Sequence, residues 1–321
     1  MLGALFAVLS AATFGISNVA TRRGVYGSSA SIGLYITVIL GVPLFAVASL
    51  ATGQLLNISD LPMRAWMLLS SAGVLHFLVG RYCNFRAIDA IGANRTQPIQ
   101  MTNVLYSIII AIVLLGEQLT LLMGVGIALI MIGPFIMVER SKDPKPVPVN
   151  EATASSEESI AEKNVVASHN AATSPRFAEG YLFGFMSAAA YGTSPVMIRS
   201  ALDDTGLGVA GGLIAYGAAS AVLVVSLAIP GKLSQVRGMD MKVLPYFLVS
   251  TVSVFFAQIF RFAALAIAPV TVVAPLSRLS VIFTPAFGFF VNRHLENFSP
   301  RVLIGIGISA LGAILLALGF N

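Results

Sequence analysis

Long apolar runs separated by short charged or Pro/Gly-rich breaks make up most of the chain. Ten of these runs approach the roughly 20 residues that a helix needs to cross the hydrocarbon core of a bilayer. They fall near 2–21, 32–53, 65–85, 95–116, 118–138, 180–199, 206–230, 243–263, 270–291 and 301–320. No basic segment precedes the first run, and Arg22 and Arg23 follow it, so it reads as a retained helix rather than a signal peptide. The pattern predicts an all-α polytopic membrane protein with ten transmembrane helices.

Between the fifth and sixth runs, over 141–178, Ser, Ala, Glu, Lys and Pro replace the large apolar residues. Such a segment has little to bury, so it is expected to be a disordered linker between two halves, 1–140 and 179–321, with a regulatory role as the alternative. The halves repeat. SAATFGISNVATRR at 10–23 aligns with SAAAYGTSPVMIRS at 187–200 at a shift of 177, pairing Ser10 with Ser187, Gly15 with Gly192, Ser17 with Ser194 and Arg22 with Arg199. The same shift pairs Pro98 with Pro275, and after a slip of two residues Glu117 pairs with Glu296, Gly126 with Gly305 and Gly133 with Gly312. Five spans per half is an odd number, so the second copy enters the membrane upside down. Inverted repeats of this kind are a common build for secondary transporters, with the substrate site between the halves. Duplication for stability alone is the other reading.

Composition strengthens the membrane reading and narrows the chemistry. The 321 residues are 57% hydrophobic and only 10% charged, against about 25% charged in soluble domains, and the mean hydropathy is +0.88. A water-soluble fold is excluded on those terms. The net charge of +5 raises the question of nucleic acid, but the basic residues crowd the loops after odd-numbered spans: Arg22, Arg23, Arg86, Arg95, Lys232, Arg237, Lys242, Arg293, Arg301 and those of the linker. The opposite face has little beyond Arg64 and Arg199, with Asp203 and Asp204. This bias predicts a cytoplasmic linker and external termini in a plasma or inner membrane, with lipid and not nucleic acid as the macromolecular surroundings. Cys83 is the single cysteine, and His76, His169 and His294 are far apart, so neither a disulfide within the chain nor a metal or other cofactor is expected. Clustered acids and bases, a GxSxG elbow and a phosphate loop are also missing, which argues against an enzyme.

Polar residues inside spans are costly in lipid and usually face a cavity or a partner helix. On the fourth span Thr96, Gln100, Asn103 and Ser107 share one helical face, and the repeat counterparts of the last three are Ser277, Ser280 and Thr284. This stripe reads as a cavity lining or as interhelical hydrogen bonding. Pro98 and Pro275 beside it predict helix breaks that expose carbonyls, or passive kinks. Arg81 and Arg261 lie near span ends, where snorkelling to the headgroups is an alternative to lining the cavity. Asn84 follows Arg81 by one turn, and the counterparts of this pair are Gln258 and Arg261. Arg278 lies well inside the ninth span, with no carboxylate deep in any span to pair with it. An anionic substrate bearing carboxylate or phosphate would complete that pair, since guanidinium offers both a bidentate fork; carbonyls freed near Pro275 are the structural alternative. His76 is the one midspan side chain that titrates near neutral pH, and it reads either as a proton carrier or as a structural donor.

Two five-helix repeats, the small-residue first helices FGISNVATRRG and YGTSPVMIRS, and LLGEQLT before the Gly-rich GVGIALIMIGPFI resemble the EamA-type drug/metabolite transporters. The second half departs from that pattern at NRHLENFSP, where Glu296 is the acidic residue and the preceding glycine is replaced. The resemblance covers nearly everything outside the linker. It implies a central cavity between repeats and movement of a small metabolite or drug. A secondary transporter is therefore the expected function, with a channel or an interaction receptor as the competing reading. Substrate, direction, coupling ion and oligomeric state are left open by the sequence.

Overall fold

A computed structural model of the chain describes residues 2–25, 30–91, 93–137, 176–203, 205–228, 244–291 and 300–319. The linker expected at 141–178 lies outside these residues except for its last three. The described residues form helices and turns, with no strand among them.

The first half contains α1 (Leu2–Val25), α2 (Ala30–Ile39), α3 (Gly41–Ala51), α4 (Met63–Val74), α5 (Arg81–Ile91), α6 (Ala93–Leu115) and α7 (Leu121–Met137). The second contains α8 (Phe177–Leu202), α9 (Gly208–Ser226), α10 (Leu244–Ile267), α11 (Val270–Ser277), α12 (Ser280–Val291) and α13 (Pro300–Gly319). Several expected spans are interrupted. The second is divided at Leu40, the third contains a turn of π-helix at Leu75–Gly80, and the ninth breaks at Arg278–Leu279. Five described stretches are long and apolar enough to cross a bilayer: Leu2–Ala20, Leu34–Ala51, Met63–Asn84, Gly208–Ser226 and Leu244–Ile267. Shorter apolar helices cover Ile99–Leu115, Leu121–Pro134, Val270–Thr284 and Leu303–Gly319.

The principal helix contacts run between the halves. Helix α1 packs on α10 and α12, while its counterpart α8 packs on α5 and α6, the counterparts of α10 and α12. Helix α7 packs on its own counterpart α13, and α9 sits against α3 and α4. Reciprocity of this kind is what a two-fold relation between repeats produces, and it holds at the level of atoms. The Ser10 hydroxyl donates to the Ala257 carbonyl at 2.8 Å, and the Ser187 hydroxyl donates to the Gly80 carbonyl, also at 2.8 Å; 10 pairs with 187 and 80 with 257 at the shift of 177.

Small residues set how closely the helices approach. A Cβ on Gly15 would lie 2.7 Å from the Phe283 Cβ, and one on Gly192 would lie 2.7 Å from both the Asn103 carbonyl oxygen and the Tyr106 ring. Phe283 is the counterpart of Tyr106. Glycine is needed at both positions because backbone meets backbone or a fixed side chain there, as in membrane helix pairs generally. The apolar core between the halves includes Leu69, Ile130, Leu202, Leu265, Leu276 and Leu316, all fully buried. A second cluster is aromatic, with Phe45, Phe77 and Tyr216 in ring contact at centroid distances of 4.5 and 4.8 Å. Leu121, Val113 and Val225 remain 87%, 73% and 73% exposed, an apolar rim suited to lipid rather than water.

Candidate functional site

The π-helical turn at Leu75–Gly80 carries His76, and one-turn π segments inside helices often occur at functional positions. The imidazole faces α8 and α10. Its Nδ1 is 2.9 Å from the Ser194 hydroxyl and its Nε2 is 3.2 Å from the Arg261 guanidinium, whose other terminal nitrogen lies 3.4 Å from the same hydroxyl. Guanidinium has donors and no acceptor, so Nε2 must supply a lone pair, and Nδ1–H then donates to Ser194. This makes His76 the neutral Nδ1–H tautomer. The Tyr191 ring closes another side of the imidazole, with centroids 4.9 Å apart.

Gln258 stands one turn before Arg261 on α10. Its side-chain oxygen is buried without a hydrogen-bond partner among the described residues, as is the Tyr216 hydroxyl. Gly73, His76, Gln258 and Arg261 line a pocket too narrow to hold a water molecule. A buried acceptor without a donor is costly, about 1–3 kcal/mol.

Arg278 occupies the break between α11 and α12. The turn is tight: the Arg278 amide donates to the Pro275 carbonyl at 2.9 Å and the Leu279 amide to that of Leu276 at 3.0 Å. Pro275, which has no N–H to donate to the Thr271 carbonyl, lies one turn before the break. The guanidinium donates to Asn103 Oδ1 on α6, a bond between the halves. Arg81, at the start of α5, makes no hydrogen bond or ion pair with a described residue. Of the three inner arginines, Arg261 is in direct contact with His76 and Arg278 bonds to Asn103, so both reach across to the first half.

The peripheral arginines are handled differently. Arg86 and Arg176 pair with Glu179, and Arg199 pairs with Asp203 while donating to the Leu265 carbonyl at 3.2 Å. Among the described residues no carboxylate pairs with the three inner arginines. Glu117 is committed elsewhere: Gly116, with a φ of 67°, turns the chain after α6, and the Glu117 carboxylate accepts the Val270 and Thr271 amides at 2.7 and 2.8 Å. It thus caps the N-terminus of α11, where negative charge is favoured.

The other residues singled out from sequence are distributed as follows. Asn103 and Gln100 are buried on α6; Gln100 donates to the Gly184 carbonyl at 3.4 Å and lies 3.5 Å from the Ser187 hydroxyl, so its described bonds go to α8. Ser107 and Ser277 bond back to the carbonyls of Val104 and Val273 on their own helices. Thr284 bonds to the Ser280 carbonyl and accepts the Asn18 amide at 3.1 Å. Ser280 is half-buried on α12. Thr96 is buried near the start of α6. Helix α6 continues through Pro98, whereas the chain breaks three residues after Pro275. Each proline is the sixth residue of its helix, so position within the helix does not account for the difference. Ser194 and Tyr191, both central to the cluster, were not picked out as site residues by sequence, and the repeat match of Ser17 with Ser194 was the available signal.

Comparison with known proteins completes the description. A model of the EamA-like transporter family matches residues 1–139 and 178–318. An uncharacterized transporter in the cobO 3' region of Sinorhizobium sp. is 28% identical over 132 residues, which is 41% of this chain and 93% of that protein. A solved crystal structure of a protein aligns with a TM-score of 0.72, covering 99% of this chain and 97% of the other at 17% identity. At that identity the likeness is one of fold.

Proposed function

The chain belongs to the EamA-like transporter family, and from that premise we propose that it is a secondary carrier for a small anionic metabolite, working by alternating access between two inverted repeats. The observation that carries the anionic part is that Arg261 and Arg278, both bonded across the halves, have neutral side chains as their described partners, His76 and Ser194 for the first and Asn103 for the second, with no described carboxylate to balance them. Unbalanced cations in a low-dielectric interior are expensive, and a carboxylate, sulfate or phosphate group of the substrate would offset that cost. The alternating-access part rests on the reciprocal packing. When two similar halves meet through repeat-related contacts, exchanging their conformations moves the opening from one membrane face to the other. The loop charges favour a plasma or inner membrane location with a cytoplasmic linker.

Reconstituted protein tests this reading. In proteoliposomes, counterflow of a transported anion is expected, because internal substrate accelerates exchange through a carrier and not through a channel. Arg278→Ala is expected to abolish that exchange and Arg278→Lys to reduce it, since lysine keeps the charge but loses the fork. Normal handling of the anion by both variants would remove Arg278 from the site.

A further inference from the structure

We propose that His76 couples a proton to the anion, so that one proton and one substrate anion bind and cross together. This rests on the anionic-substrate reading above and adds the coupling ion to it.

Two acceptors hold Arg261, and His76 Nε2 is the nearer of them. The guanidinium is buried, and its two described partners are His76 Nε2 at 3.2 Å and Ser194 Oγ at 3.4 Å. A proton taken from water onto Nε2 removes that lone pair and sets N–H against N–H between two cations. The contact must then open. Ser194 cannot hold Arg261 alone at that distance, and the side chains facing His76 offer no described carboxylate: Tyr191 and Ser194 from α8 and Gln258 and Arg261 from α10, with the charges of Arg81 on α5 and Arg278 at the α11–α12 break also acting there. The acceptor that Arg261 turns to is the substrate anion. Its negative charge simultaneously offsets the charge that His76 has gained.

Each event therefore favours the other. Without the anion, a proton on His76 would join three arginines with no counter-charge. Without the proton, Arg261 stays bonded to the imidazole and is not offered to the anion. The π turn that carries His76 suits this role, since its ladder already departs from the α-helical spacing and can shift without breaking a long helix. When the halves exchange conformations, the anion leaves, Arg261 returns to Nε2, and the proton passes to water on the second side.

Linkage between the two ligands is reciprocal, so a one-proton coupling strengthens anion binding by up to about tenfold for each unit fall in pH. Lactate and sulfate are suitable probes because both stay fully ionised between pH 5.5 and 7.5. Their affinities for the full chain in detergent are read from ligand-induced thermal shifts. At least one probe is expected to bind more than about tenfold tighter at pH 5.5 than at 7.5. In His76→Gln, whose carbonyl can still accept Arg261 but cannot titrate, binding is expected to persist with less than about a twofold pH effect. Equal affinity at both pH values in the unaltered chain, or an undiminished pH effect in His76→Gln, overturns the coupling and leaves the anion site standing. Failure of both probes to bind at either pH overturns the anion site and the coupling with it. Should His76→Gln not be recoverable as folded protein, the pH slope of the unaltered chain decides.

Discussion

The two repeat-related helix junctions, α1 with α10 and α8 with α4–α5, are built alike and equipped differently. Each has a serine hydroxyl bonded across to a carbonyl at 2.8 Å and a glycine where the helices touch. Seven residues after that first serine each junction has another. In the first junction the described side-chain partner of Ser17 is another hydroxyl, that of Ser250, at 2.9 Å. In the second, Ser194 meets His76 and Arg261. The repeat counterpart of His76 is Ser253 and that of Arg261 is Asn84. Identical scaffolding thus supports a neutral contact on one side and a charged, titratable cluster on the other. Symmetry builds the frame, and the chemistry comes from the positions where symmetry fails.

The sharpest way to break this contrast is to alter the counterparts Arg261 and Asn84. Losing a hydrogen bond to a charged group costs about 1.5–3 kcal/mol, so Arg261→Ala should weaken anion binding by roughly 10- to 150-fold. Asn84→Ala should change it by less than about threefold, and equal losses in titrations of the two variants would show that the site is shared by both junctions. Next in size are Gly15→Val and Gly192→Val. Both force a side chain into occupied space at a cost of about 1–3 kcal/mol, and thermal unfolding should register falls of similar size, whereas a large disparity would mean that the frame itself is asymmetric. The smallest effect belongs to Ser10→Ala and Ser187→Ala. Each is expected to lose about 0.6 kcal/mol, typical of polar contacts between membrane helices, with anion binding unchanged in both; altered binding in Ser187→Ala alone would enlarge the site toward Gly80.

The frame was more legible in the sequence than the site. Apolar run length marked the helical segments, and the shift of 177 paired residues that the structure places in equivalent contacts. The interruptions were less visible. The π turn at Leu75–Gly80 has no proline to announce it, whereas the bend at Leu40 is followed at once by Gly41 and Pro43, a signal that run length alone passes over. Arg278 could be recognised because a midspan arginine is expensive anywhere. The polar stripe on α6 showed which residues share a face, but not what stands opposite. Ser107 satisfied itself on its own helix, as hydroxyls in helices commonly do, and Gln100 turned to α8. Ser194 looked the same as Ser17, because a side chain's chemistry here depends on partners 118 and 67 residues away.

The cross-half packing also bears on how such a protein comes to exist in the membrane. Since α1, α7 and α8 find their main partners in the opposite half, a newly inserted first repeat has its glycine faces and serine hydroxyls still waiting for company. Maturation is then an act of pairing, closer to the assembly of a dimer than to the folding of a domain. The segment joining the repeats keeps the second copy tethered nearby at a high effective concentration, so that each half meets its own counterpart before it meets a stranger.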